Sequence, residues 1–72
     1  MWIKKTDGVL VDVTGCIIVA SQDGMVKAVN FSGMYFELGK YLNEWAAKNI
    51  VSDIFETIEA GQNVYEMPKG VE

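Results

Sequence analysis

Four glycine-containing pairs divide the first half of this chain: Asp7-Gly8, Thr14-Gly15, Asp23-Gly24 and Ser32-Gly33. The runs between them are too short for an ordinary helix of about 8–20 residues. They are "VLVDV", "CIIVAS", "MVKAVNF" and, after Gly33, "MYFEL", with "WIKK" ahead of the first pair. Each is rich in β-branched or aromatic residues and has the length of a strand. An Asp-Gly pair between two apolar runs is a strong hairpin signal, because glycine accepts the positive φ that such turns require. Thr14-Gly15 separates its runs more closely and reads as a bulge or a corner. The first half is therefore expected to fold as an antiparallel meander of four or five short strands.

The second half changes period. In "NEWAAKNIVSDIFETIEA" (43–60), Ala47, Ile50, Val51, Ile54 and Ile58 recur on one face at helical spacing. Asn43 is a good N-cap, with Glu44 beside it where negative charge favours a helix start. Gly61 is a good stop, and Glu44 with Lys48 forms an i,i+4 pair in the better orientation. One amphipathic helix over about 43–60 is predicted. Beyond it, "NVYEM" is strand-like again and Pro68 ends it, giving a final short strand over about 64–67. That strand either pairs with an edge of its own meander or exchanges with a second copy of the chain. The expected fold class is α+β: a small antiparallel, curled sheet, one helix and a closing strand, forming a single domain over residues 1–72.

The faces of the sheet raise a further expectation. Val9, Val11 and Val13, with Met34, Phe36 and Leu38, are assigned to the side that meets the helix. Leu10, Tyr35 and part of "CIIVA" remain on the other side. One helix cannot cover both, so the sheet either curls toward a barrel or meets a second subunit. Half of the 72 residues are hydrophobic, which is a rich supply for a body this small.

Composition narrows the chemistry. The chain has no histidine, and its six basic residues are all lysines. Histidine is the usual near-neutral general base and the commonest metal ligand. Arginine supplies the bidentate grip on phosphate and guanine. With a net charge of −4 as well, nucleic acid is not an expected partner. Cys16 is the sole cysteine, so no internal disulfide can form, and its apolar neighbourhood predicts a buried, inert thiol. No metal site and no cofactor is expected. "DVTG" (12–15) resembles the catalytic loop of aspartic proteases, but Val13 separates Asp12 from Thr14 and no second copy supplies the partner carboxylate. Asn30-Phe31-Ser32 matches a glycosylation acceptor, which has meaning only after secretion. "MWIKKTDG" carries no long apolar block after its lysines, and no run approaches the roughly 18 residues of a membrane span. A cytoplasmic location and no membrane partner are expected.

Taken together, "MWI" at the start, "LGKY" (38–41), the Ala47, Val51 and Ile54 helix face and "VYEMP" (64–68) resemble a family of short bacterial and phage-borne proteins with no established activity. The resemblance implies a small α+β domain whose tail strand belongs to the fold. It supplies no catalytic or binding residue.

The candidate functional residues lie on the helix. Residues 1–36 hold three acids and three lysines, whereas residues 37–72 hold seven acids and three lysines. Asp53, Glu56 and Glu59 step along the outward face of the helix's C-terminal half, where a helix prefers positive charge. They read as a solvated face or as a docking stripe for a basic partner protein. Trp45 falls opposite Ile54 on the helical wheel, so it either folds against a neighbouring loop or is exposed for contact. These four residues are the predicted interaction site. Three functions remain: a non-enzymatic interaction or assembly module, whose first candidate partner is itself as a homodimer; a small-ligand binder using the curled sheet as a cup near Trp2, Tyr35 or Tyr41; and, disfavoured by the missing histidine and arginine, an enzyme.

Overall fold

In the computed structural model, which describes residues 1–70, the glycine pairs do what their chemistry predicts. The chain runs β1 (Trp2–Lys4), β2 (Leu10–Asp12), β3 (Ile17–Ala20), β4 (Met25–Val29), β5 (Tyr35–Lys40), α1 (Glu44–Glu59) and β6 (Val64–Glu66). Three hairpins use one loop design, at residues 5–9, 21–25 and 30–34. In each, the first N–H donates to the carbonyl of the fifth residue, at 2.8, 2.9 and 3.0 Å. The glycine N–H at the fourth place donates back to the first carbonyl, and its φ is +89° at Gly8, +92° at Gly24 and +83° at Gly33. This is the three-residue hairpin loop that ends in a left-handed glycine bulge.

Thr14-Gly15 is the corner. It turns the chain out of β2 and into a second sheet, so the strands form two three-stranded sheets rather than one meander. Sheet A has the order β2-β1-β6 and sheet B the order β3-β4-β5. All pairings are antiparallel except β1 with β6, which is parallel. Neither sheet closes into a barrel. The tail strand completes its own chain's sheet: Ile3 lies opposite Tyr65, Trp2 N–H donates to the Asn63 carbonyl at 2.8 Å, and Met67 N–H to that of Lys4 at 2.9 Å.

The helix ends follow the predicted chemistry. Asn43 Oδ1 accepts the Ala46 N–H at 2.9 Å, capping the N-terminus. At the other end Gly61 N–H donates to the Ile58 carbonyl and Gln62 N–H to that of Thr57, which is the Schellman pattern. Lys48 Nζ stands 3.8 Å from Glu44.

One core draws on both sheets and the helix. Ile3, Val26, Leu38 and Ile54 are its largest fully buried side chains. Each Ile or Leu placed there contributes about 1.5–3 kcal/mol relative to exposure. Several assignments of faces are corrected here. Val13 and Leu38 are buried, but Val9, Met34 and Phe36 are exposed. Phe36 does share a row with Ala28 and Ile18 on the inner side of sheet B. The helix packs over β3 and β4, so the outer end of β5 projects beyond it. Ile58 is half exposed as well, past the reach of the sheets, and Ile17 in "CIIVA" faces outward. Cys16 is partly buried and packs against the core.

Candidate interaction surfaces

The outward face of α1 is the predicted site. Trp45 is 73% exposed, so it is not folded down against a neighbouring loop. At 100° per residue, Trp45 and Glu56 fall within about 20° of one another and about 16 Å apart along the axis. Glu59 lies one turn beyond, and both glutamates are exposed. Leu42, just before the cap, is exposed too. The last turn of α1 carries no basic residue, and among the described residues no ion pair reaches Glu56 or Glu59. Two carboxylates thus stand near the negative end of the helix dipole with no local compensation. Fold stability does not explain that placement.

Asp53 departs from the stripe. It sits on the flank of α1 that meets β6, close enough to Tyr65 to act on its phenol. Burial first, and then the negative charge of Asp53, push the Tyr65 pKa from 10.0 up to about 12. Because the folded pKa lies above the unfolded one, this group favours folding fully below pH about 10, and the contribution is lost as pH rises toward 12. Asp53→Asn is expected to lower the Tyr65 titration part of the way toward 10, burial holding the rest, while Glu56→Gln leaves it in place. The Tyr65 ring-carbon chemical shift, followed by NMR against pH, checks this. Equal titrations in both variants would sink the assignment of Asp53 to this contact.

A second exposed surface carries no signal of the usual kind in the sequence. The β4–β5 loop places Phe31 97% in solvent, with Met34 at 62% beside it. The loop is well defined: Asn30 Oδ1 accepts from Ser32 N–H at 3.0 Å and from Met34 N–H at 3.1 Å. Asn30 is therefore a turn-forming residue. Tight turns favour small polar residues, so a phenylalanine in "NFSG" was the available clue.

An open depression of about 500 Å³ is lined by Lys4, Lys5, Thr6, Asp7, Glu66 and Lys69, among others. Trp2, Tyr35 and Tyr41 do not line it. Tyr41 is buried, its hydroxyl donating to the Pro68 carbonyl at 2.8 Å. Among the described residues no cluster of three or more Cys, Asp or Glu side chains is arranged to hold a metal ion, and no helix is long and apolar enough to cross a membrane. Comparison with protein families, with curated proteins and with solved structures finds no match to this chain.

Proposed function

We propose that this protein is a small non-enzymatic interaction module of the cytoplasm. In this reading it docks a basic protein segment on the outward face of α1. Trp45 is the apolar anchor, and Glu56 and Glu59 are its charge complement. The observation that carries the reading is the exposure of Trp45 on the same helical stripe as Glu56. Tryptophan is among the residues most concentrated at the energetic centres of interfaces. The resemblance to short bacterial and phage-borne proteins is compatible with this role and adds no activity to it.

The test pairs binding with stability. A lysine-rich amphipathic peptide is titrated into a Trp2→Phe background, so that emission reports Trp45 alone. Binding should move that emission to the blue and weaken with salt. Trp45→Ala should lower affinity roughly 30-fold, the size of a 2 kcal/mol anchor. The double change Glu56→Lys and Glu59→Lys should abolish the salt dependence. It should also raise stability by up to about 1 kcal/mol, because lysine suits a helix C-terminus. Peptide binding that ignores both sets of changes rules the surface out.

A second reading, a small-ligand binder, draws on the 500 Å³ depression. Lys4, Lys5 and Lys69 line it together with Asp7 and Glu66, so its ligand would be small and polar, meeting charges of both signs.

A further inference from the structure

The two sheets leave four strand edges, and three belong to strands of three or four residues. β2 and β6 are only three residues long, and β6 runs into Pro68. β3 is four residues long, with α1 packed on its face. The edge of β5 is different at its first half. Tyr35, Phe36 and Glu37 are all exposed, and the β1–β2 loop at residues 5–7 comes near the edge only from Glu37 onward. Exposed edges are usually blunted by Lys, Pro or a bulge. On β5 those devices come late, at the irregularity opposite Val26 and Lys27, and at Lys40.

Hydrogen-bond alternation identifies which groups this edge offers. Asn30 N–H bonds to the Met34 carbonyl, so the alternate pair Ala28 and Phe36 is also a bonded one. Tyr35 and Glu37 therefore aim their N–H and C=O away from β4. Among the described residues no backbone hydrogen bond from another element reaches either. Farther along, the edge is closed, because Gly70 lies directly against the Lys40 carbonyl.

We propose that a second copy of this chain pairs with that edge, β5 against β5 in antiparallel register about Phe36. Tyr35 of each copy then exchanges two backbone hydrogen bonds with Glu37 of the other, four in all, using the groups the monomer leaves unpaired. The two Phe36 side chains face one another across the two-fold axis, in the closer, non-bonded type of pair. Lys27 lies opposite Glu37 in the β4–β5 register, which puts a lysine on the same outer face as each carboxylate near the axis. Lys27 Nζ also lies 4.9 Å from the Tyr35 ring centroid, holding that ring on the outer face.

The side chains at this end of β5 fit the same occupant: Phe31, Met34, Tyr35 and Phe36 are all exposed, with Tyr35 and Phe36 on opposite faces of the sheet, so edge-to-edge pairing brings apolar cover from both faces. The proposal is independent of the α1 surface and shares with it only the premise that exposed aromatic side chains mark contacts.

Mass by light scattering over a wide concentration range is the test. The full chain should show twice its 8.0 kDa, and Glu37→Pro should halve that mass. Proline at 37 removes an outward-facing donor and spares every β4 hydrogen bond, and edge strands tolerate its fixed φ, so the monomer is expected to fold. Against failure of that variant to fold, a second measurement uses Phe36→Cys with Cys16→Ala. The Cα separation of a non-bonded antiparallel pair suits a disulfide, so oxidation should give a covalent dimer, whereas Tyr35→Cys should not. A monomer at every concentration overturns the inference. So does a dimer that persists in Glu37→Pro and fails to cross-link through position 36. Trp45→Ala should leave the mass unchanged, so the two surfaces succeed or fail separately.

Discussion

Ile3→Ala is expected to cost about 2–5 kcal/mol, a large part of the stability of this protein. At about 0.05–0.15 kcal/mol per residue, the whole chain has about 4–11 kcal/mol to lose. Ile3 is 0% exposed and lies at the centre of β1, with Val11 opposite it on β2 and Tyr65 on β6. The parallel pairing to β6 holds the last strand in place, and the antiparallel pairing to β2 leads to the corner between the sheets. A cavity at Ile3 therefore loosens both pairings and the core that α1 shares with them. The urea midpoint should fall with little change in slope, and the melting temperature should drop by about 10–30 °C. Ile58→Ala is the matched control, the same chemical change where the side chain is 52% exposed. It sits in a helix, where alanine is intrinsically favoured, so its cost should stay within about 1 kcal/mol. Equal losses from the two changes would mean that Ile3 is not the link between the sheets.

What the sequence made legible was local. The Asp-Gly and Ser-Gly loops, the Asn43 cap, the Gly61 stop and the Glu44–Lys48 pair each depend on a few neighbouring residues, and each is found where it was read. The α+β class follows from them. The assignment of faces depended on more. β1, β2 and β6 are three residues each, so their alternation has too few positions to choose a core side. The division into two sheets turns on whether Thr14-Gly15 is a bulge or a corner, and either is compatible with the same residues. Phe36 shows the limit most clearly: its row was read correctly, but whether anything covers that row depends on where α1 comes to rest. Likewise the helical wheel separated Trp45 from the core, and it could not know that Tyr65 would arrive beside Asp53. Phe31 was legible only as an oddity, a large ring in a turn made of small polar residues.

Gly24→Ala should be the most damaging change in any of the three hairpin loops, and Gly8→Ala shows why. The two glycines hold nearly the same conformation, φ +92° and +89°, in loops bonded in the same way. Any L-residue there is strained, at about 1–2 kcal/mol. Gly8 stops at that, since a methyl group on it would meet nothing within 4 Å. At Gly24 a Cβ would come within 2.3 Å of the Tyr41 carbonyl oxygen and 3.1 Å of the Asn43 nitrogen. Those atoms belong to the link between β5 and α1, and they are backbone, which cannot swing aside as a side chain could. The link is also bonded to this loop, because Tyr41 N–H donates to the Gly24 carbonyl at 2.8 Å. Making room for the methyl therefore moves Tyr41 out of the core and Asn43 away from its capping position, and each of these contributes about 1 kcal/mol or more. The total loss at Gly24 should exceed that at Gly8 by about 2 kcal/mol or more, as read from urea midpoints of the two variants side by side. In Gly24→Ala the Ala46 amide should also lose hydrogen-exchange protection, since Asn43 is its cap. If both variants lose the same stability, the approach of Gly24 to the helix entrance does not constrain this fold, and the strain of the loop alone accounts for the glycine.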